Sequence, residues 1–206
     1  ERENKIPCTP GQVIVTCGAK GAIYDAMTAV LNPGDEVIIL DPSWVSYEPC
    51  IRIAGGKPVH HLLNTRTFQI NESVLDKVTQ KTRMIVINSP SNPSGTILNR
   101  SSLALIADMC EDYDLLALSD EIYEKLTYGK GHIPLASLKD MAERTITVNG
   151  FSKAYAMTGW RIGWAVAPKA IINQMSKVQQ HSISHPTTFA MYGGVAALTC
   201  DQSCVE

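Results

Sequence analysis

The stretch QVIVTCGAKGAIYDAMTAVLNPGDEVIIL, residues 12–40, decides the fold class of this chain. It begins with a short β-branched run, passes through a turn of small residues, and continues with apolar residues at helical spacing. The sequence NPGD then ends the predicted helix, and a second β-branched run follows. A strand, a helix and a further strand in this order predict a βαβ unit with parallel strands.

The same alternation continues along the rest of the chain. Strands are predicted at 57–63, 83–88, 115–119, 144–149 and 161–167, and helices at 44–55, 71–80, 101–114 and 168–181. The run RMIVIN is typical of a strand buried on both faces. Asn71 can cap its helix, and Pro168 stands in the first turn of the last one. We therefore predict an α/β fold, a three-layer α/β/α sandwich around a mostly parallel sheet.

Composition narrows the classes of function. The chain has 206 residues, 45% hydrophobic and 18% charged, which is an ordinary globular balance. A net charge of −2 indicates neither nucleic acid nor an anionic membrane as a partner. We expect a cytoplasmic protein with reduced thiols, because the six scattered cysteines do not form a disulfide framework and ERENKIPCTP is no signal peptide. We expect no metal site at Cys200 and Cys204, which have no histidine nearby in the sequence.

Ligands of such folds bind beyond the carboxyl ends of the strands. In TCGAKGA, residues 16–22, bare N–H groups at a helix start could hold a phosphate, although a tight turn alone also requires glycine. In NSPSNPSG, residues 88–95, Asn92 could cap a turn or offer its amide to a ligand. Asp120 and Tyr123 follow the strand at 115–119 and would face the same way in a helical turn, which Asp120 could equally cap.

The last of these segments is NGFSKAYAMTGWRIG, residues 149–163. A lone lysine is usually a solvated surface residue, but Lys153 directly follows a strand, where we expect it to be partly desolvated. Such lysines condense with carbonyl compounds. Arg161 can hold a phosphate with two hydrogen bonds. Together the strand ends offer partners for a phosphate, an aldehyde, a ring nitrogen and a phenolic oxygen, so we expect pyridoxal phosphate as the cofactor.

The segments SKAYAMTGWRIG, GDEVIILDPSWVSY, NSPSNPSG and LLALSDEIYEKLTY resemble landmarks of the fold-type I pyridoxal-phosphate enzymes. Their order and spacing are similar to those of class I/II aminotransferases of the aspartate and aromatic branch. The resemblance implies these catalytic residues: Lys153, Asp120 and Tyr123. It implies these cofactor-binding residues: Gly18, Ala19, Lys20, Trp44, Asn92, Asp120, Tyr123, Ser152, Lys153 and Arg161.

In the resemblance, Lys153 carries the cofactor and moves the proton, and Asp120 pairs with the pyridinium nitrogen. Tyr123 and Asn92 donate to the phenolic oxygen. Trp44 lies over the ring, although it could equally be an apolar anchor, and with Asn92 it would also contact the substrate.

Two departures from the family stand out. Gly150 lies three residues before Lys153, where many relatives carry a phosphate-binding serine, so the phosphate would depend more on Arg161, Lys20 and Ser152. Family members are also longer. Residues 1–206 are expected to be the cofactor-binding large domain, without the N-terminal segment and without the small domain that grips the substrate carboxylate.

The implied activity is transfer of an amino group between aspartate or a similar amino acid and a 2-oxo acid such as 2-oxoglutarate. The family implies a homodimer, and we expect the 206 residues by themselves to be inactive. Two alternatives stay open: a carbon–sulfur lyase on the same scaffold, against which AMTGWRIG speaks, and an aminotransferase-like sensor domain of a transcription regulator.

Overall fold

A computed structural model describes residues 4, 6–129, 131–203 and 205. Within them, seven strands form one sheet. The strands are β1 Val13–Thr16, β2 Glu36–Asp41, β3 Lys57–Leu62, β4 Thr82–Asn88, β5 Leu116–Asp120, β6 Thr145–Gly150 and β7 Gly163–Val166. Their order across the sheet is β1-β7-β6-β5-β4-β2-β3. The pairs β3–β2, β2–β4, β4–β5 and β5–β6 are parallel, and β7 runs antiparallel to both of its neighbours. The prediction of a mostly parallel sheet is confirmed.

Helices cover the sheet on both faces. They are α1 Gly18–Val30, α2 Tyr47–Ile53, α3 Arg100–Asp112, α4 Lys169–Ser182 and α5 Thr188–Thr199. Helices α1, α2 and α4 contribute to one hydrophobic core, and α3 contributes to a second. The three-layer prediction is confirmed. Among the described residues, no helix combines the length and the apolar character needed to cross a membrane.

The strands at the centre of the sheet bury both of their faces. In β2, Val37 and Ile39 belong to the first core, whereas Ile38 and Leu40 belong to the second. This two-residue alternation follows from the pleat of a strand, which directs successive side chains to opposite faces. Burial on both faces explains why the central strands are nearly continuous apolar runs in the sequence.

Several predicted boundaries differ from the structure. The helix predicted at 44–55 begins only at Tyr47, because Pro49 lacks an N–H and fits only the first turn. Trp44 therefore lies in a loop. The segment 71–80 forms a short 3-10 helix, Glu72–Lys77, with Asn71 as its cap as predicted. Pro168 is the N-cap of α4 and does not stand within its first turn.

The start of β7 lies against the start of α1, and only glycine permits this approach. A Cβ atom at Gly163 would lie 2.6 Å from the Ala19 nitrogen and 2.7 Å from the Gly18 carbonyl carbon. The strand predicted at 161–167 begins at Gly163, because Arg161 has a left-handed backbone with φ 51°. The glycine contact thereby brings the Arg161 segment to the first turn of α1.

Candidate active site

A cavity of about 270 Å³ lies at the carboxyl ends of the strands. All but one of the predicted site residues line it: Ala19, Lys20, Trp44, Asn92, Asp120, Tyr123, Ser152, Lys153 and Arg161. They come from the segments that follow β1, β2, β4, β5 and β6. The structure thus brings the predicted segments together at one edge of the sheet, while the roles of the individual residues stay predictions.

The remaining predicted residue, Gly18, lies under the guanidinium of Arg161. Gly18 begins α1 with φ +74°, and a Cβ atom there would lie 2.7 Å from Arg161 Nη2. Its carbonyl accepts a hydrogen bond from Thr16 Oγ1 at 3.0 Å, and Arg161 Nη1 donates to the Thr158 carbonyl at 2.8 Å. A helix N-terminus beside Lys20 and an arginine is a site that suits a phosphate.

Asp120 is the buried carboxylate of the cavity, with 3% of its surface exposed. Its Oδ2 accepts a hydrogen bond from the Tyr47 hydroxyl at 2.7 Å, and its Oδ1 accepts one from the Ile122 N–H at 3.3 Å. Burial raises the pKa of Asp120 to about 6, and the two hydrogen bonds act against this rise, while nearby Glu121 adds to it. A buried carboxylate that is costly to ionise favours a cationic ligand, because opposite charge offsets its desolvation.

The backbone after β5 forms hydrogen-bonded turns at 122–125 and no regular helix. The bond from the Ile122 N–H shows that Asp120 does cap this turn. The same carboxylate lines the cavity. The two interpretations of Asp120 are therefore compatible, because a carboxylate offers about four acceptor positions.

A second group of cavity residues comprises Lys153, Tyr123 and Asn92. Lys153 Nζ lies 5.6 Å from the centre of the Tyr123 ring, and Asn92 Nδ2 lies 3.5 Å from the Tyr123 hydroxyl. The Lys153 side chain is exposed, so the expectation that it would be partly desolvated is wrong for this structure. The reason is local: Lys153 lies in a turn after β6 that presents it to the open cavity.

Trp44 forms an aromatic wall of the cavity. Lys20 Nζ lies 4.8 Å from the centre of the Trp44 ring, and the Tyr47 ring meets Trp44 edge-on with centres 5.4 Å apart. Trp44 is half-buried and packs against the first core. It is thus an apolar anchor and a cavity residue at once, as each of the two interpretations requires.

Gly150 ends β6 without space for a side chain. A Cβ atom there would lie 3.0 Å from Gly163 Cα and 3.1 Å from the Ile162 carbonyl oxygen. A side chain at this point would require the backbone of Gly163 and Ile162 to shift by a few tenths of an ångström. The dependence of a phosphate on Arg161, Lys20 and Ser152 stays a prediction.

Sequence reasoning missed three polar residues that line the cavity, Tyr47, Asn88 and Thr158. Asn88 ends β4 and links two site segments, since its Nδ2 donates to the Asp120 carbonyl at 2.9 Å and its Oδ1 accepts from the Asn92 N–H at 2.7 Å. The rule that ligands lie at strand ends would have found Asn88. Tyr47 gave no comparable signal, because its contact with Asp120 spans 73 residues of sequence.

A group of possible metal ligands lies beside the cavity, in Glu121, Glu124 and His132. Glu121 is fully buried; its Oε1 accepts from the Ser119 hydroxyl at 2.9 Å, and its Oε2 lies 3.0 Å from His132 Nε2. These contacts tie down the segment that carries Tyr123. The expectation of no metal site stays a prediction, and Cys204, one of the cysteines it concerned, lies outside the described residues.

A larger cavity, of about 490 Å³, contains none of the predicted site residues. It lies between α5 and strands β1, β6 and β7, and most of its lining is apolar, including Val15, Phe151 and Trp164. The neighbouring surface of α5 exposes large apolar side chains, namely Phe189, Tyr192, Val195 and Leu198.

Known proteins are similar to this chain over nearly all of its length. The aspartate aminotransferase of Bacillus subtilis (strain 168) is 46% identical over 201 residues, which is 96% of this chain and 51% of that protein. The aspartate aminotransferase of Thermus thermophilus, solved with maleate, superimposes with a TM-score of 0.93 at 42% identity over 96% of this chain and 52% of its own. The aromatic aminotransferase of Pyrococcus horikoshii gives a TM-score of 0.95 at 43% identity, over 98% of this chain and 55% of its own.

The chain spans about half the length of the curated relatives that it matches. The sequence model for aminotransferase class I and II matches residues 1–205, which is almost every residue of the chain. The resemblance of its motifs is thereby confirmed over the whole sequence: the chain belongs to the class I and II aminotransferase family.

Proposed function

We propose that this chain is the cofactor-binding part of a pyridoxal-phosphate-dependent aminotransferase. The proposed reaction moves an amino group between aspartate or a similar amino acid and a 2-oxo acid such as 2-oxoglutarate. The observation that carries the proposal is one cavity that combines a buried carboxylate, Asp120, with the amine of Lys153 and the guanidinium of Arg161. Relatives named aspartate aminotransferase support the choice of substrate.

The residues of the cavity fit pyridoxal phosphate at three points. The start of α1, with Lys20 and Arg161, offers N–H groups and positive charge to the phosphate. Asp120, whose pKa burial raises to about 6, offers a partner to a protonated ring nitrogen. Lys153 offers an amine to the aldehyde, as the enzymes of this cofactor require.

Each side chain has a defined task in the proposed reaction. The Lys153 amine would hold the cofactor through its aldehyde. Once released by the amino acid, the amine would take the proton from the substrate Cα as a general base and, as a general acid, deliver it to the carbon that had carried the aldehyde. Asp120 keeps the ring nitrogen protonated by charge pairing. The cofactor, when bound, supplies a ring that accepts the electron pair left at Cα.

The surrounding residues orient and cover the reacting atoms. The Tyr123 hydroxyl and the Asn92 amide, 3.5 Å apart, are proposed to donate to the phenolic oxygen. Trp44 is proposed to lie over the ring and exclude water. Holding reactants in this way contributes strongly to rate, because it removes the entropy cost of bringing them together.

We also propose that residues 1–206 belong to the large domain of a cytoplasmic homodimer. Four large apolar side chains on α5, each more than half exposed, support an assembly that covers this surface. A substrate clamp outside these residues would leave them able to bind cofactor yet inactive alone, because an unheld substrate is not oriented for loss of its α-proton. No observation favours the lyase or the sensor alternative.

The test begins with the 206-residue protein and pyridoxal phosphate. We expect the absorbance band of a lysine-bound cofactor, and we expect borohydride reduction to fix the label on Lys153, as located by peptide mass spectrometry. Lys153→Ala should lose the band, whereas Lys169→Ala, which changes an exposed residue at the start of α4, should retain it. Labelling of Lys20 or Lys169, with the band retained in Lys153→Ala, would contradict the assignment.

The reaction itself is tested with two proteins, the 206 residues and the longer protein that contains them. With aspartate and 2-oxoglutarate, we expect turnover by the longer protein only. Release of pyruvate from cystathionine, without transamination, would instead show a carbon–sulfur lyase. Normal turnover by the 206 residues would disprove the proposed location of the substrate clamp.

A further inference from the structure

The buried hydroxyl of Tyr47 hydrogen-bonds to one carboxylate of the candidate site, that of Asp120. Only 2% of Tyr47 is exposed, and its hydroxyl donates to Asp120 Oδ2 at 2.7 Å. Burying a hydroxyl without a partner costs free energy, and this hydrogen bond offsets the cost of burying the Tyr47 hydroxyl. Tyr47 and Asp120 both line the cavity, and their contact therefore reaches the place where a ligand would bind.

The carboxylate is held from two sides by this arrangement. The Tyr47 hydroxyl binds Oδ2, and the Ile122 N–H binds Oδ1. Two donors on different oxygens fix the plane of the carboxylate. A carboxylate has about four acceptor positions, so positions remain for a third donor that comes from the cavity.

Tyr47 is itself fixed in place. It is the first residue of α2, its ring meets Trp44 edge-on, and it belongs to the core between the sheet and helices α1, α2 and α4. A buried ring in close packing has little rotational freedom. The packing of α2 against the core therefore holds the Tyr47 hydroxyl at Asp120, and no flexible side chain is needed to place it.

We propose that Tyr47 is a positioning residue that acts through Asp120, holding its carboxylate ionised and oriented toward the cavity for a protonated ring nitrogen. This inference rests on the proposed function, since the ring nitrogen is that of pyridoxal phosphate. It assigns to the residue after WVS a task that is separate from the covering ring of Trp44, three positions earlier in the sequence.

The electrostatics give the direction of the effect. Burial raises the pKa of Asp120 to about 6, and the Tyr47 hydrogen bond lowers it. Loss of the hydroxyl therefore raises this pKa further and leaves more of the carboxyl group neutral near pH 7. Other titratable or charged groups near Asp120 are Glu121, which follows it in the chain, and the cavity residues Lys20, Tyr123, Lys153 and Arg161.

The test variant is Tyr47→Phe, which removes one oxygen and keeps the buried ring. Its matched control is Tyr113→Phe, at a half-exposed tyrosine that follows α3. In the cofactor-free protein, carbon-13 NMR of the Asp120 carboxyl should show its titration moved upward by about one pH unit in Tyr47→Phe and unmoved in the control. Pyridoxal phosphate should bind roughly three- to tenfold more weakly to Tyr47→Phe, the range expected for one hydrogen bond.

A double-mutant cycle decides whether Tyr47 acts through Asp120. In an Asp120→Asn background, Tyr47→Phe should have no further effect on cofactor affinity. An unmoved Asp120 titration, or an equal loss of affinity in both backgrounds, would overturn the proposal. Failure of the wild-type protein to bind the cofactor would instead refute the proposed function, because the titration in the cofactor-free protein does not depend on it.

Discussion

Two cavities of this molecule differ in the chemistry of their linings. The smaller one, of about 270 Å³, gathers Lys20, Asp120, Lys153 and Arg161 at the strand ends. The larger one, of about 490 Å³, lies against α5 and is mostly apolar. Size alone would favour the apolar cavity of the two, whereas the convergence of charged groups on the carboxyl ends of parallel strands favours the smaller one as the candidate site.

Close contacts in this part of the molecule are of two kinds, and they differ in how easily they yield. At Gly163, which lines the apolar cavity and also meets the start of α1, backbone contacts backbone. At Gly194, which lines the same cavity, the close contacts are with the side chains of Ile162 and Phe151. Backbone cannot move aside as a side chain can, so the same small substitution should be far more harmful at Gly163 than at Gly194.

The largest effect is expected for Gly163→Ala. Its new methyl group would lie 2.6 Å from the Ala19 nitrogen, and we expect a loss of unfolding free energy of roughly 3 kcal/mol or more, with weaker cofactor labelling of Lys153. Urea unfolding measures the loss. Gly194→Ala should cost less, and Gly159→Ala, with nothing within 4 Å of its added Cβ, should be nearly neutral. Equal losses at Gly163 and Gly194 would show that backbone contacts and side-chain contacts yield equally to an added methyl group.

A second prediction separates stability from function at Asp120. Its folded pKa, about 6, lies above the ordinary value of 3.8, so its contribution to stability is fully present below 3.8 and is lost as pH rises through 6. Asp120→Asn should therefore stabilise the cofactor-free protein at pH 8 by up to about 3 kcal/mol, with little change near pH 4. The same variant should bind pyridoxal phosphate more weakly and reduce turnover of the longer protein by orders of magnitude.

Urea unfolding at several pH values checks this prediction, with Asp112→Asn, an exposed carboxylate at the end of α3, as its control. A wild-type protein that is as stable as Asp120→Asn at pH 8 would show that the carboxylate is not costly to ionise. Near-normal turnover of the variant would reduce Asp120 to a cap of its turn.

The smallest effect is expected for the replacement of threonine by valine, made once beside each cavity. Thr147 lines the apolar cavity with a buried hydroxyl that finds no hydrogen-bond partner in the described part of the chain, whereas the Thr16 hydroxyl donates to the Gly18 carbonyl at the start of α1. Thr147→Val should raise the unfolding free energy by roughly 0.5–1 kcal/mol, and Thr16→Val should lower it by about 1 kcal/mol. Thermal unfolding measures both, and a shift of the same sign at both positions would contradict the comparison.

The sequence predicted which segments line the candidate site more accurately than it predicted the exposure and the long-range contacts of their residues. Asp120 and Lys153 were found because they directly follow β-branched runs, and the ends of parallel strands meet at one edge of a sheet. The exposure of Lys153 was not predicted, because it depends on how far the cavity stays open above the turn. Tyr47 was missed because its partner is distant in the sequence and the start of α2 depends on where Pro49 can be placed.

The sequence by itself determined the alternation of strands and helices and the kinds of chemical group at each strand end, because these depend on local periodicity and on residues a few positions apart. The tertiary structure alone decided that β7 runs antiparallel beside β6, that Gly163 presses on the start of α1 and that Tyr47 reaches Asp120. These contacts join segments that are far apart in the chain. Their existence depends on long-range packing, which no local pattern of residues specifies.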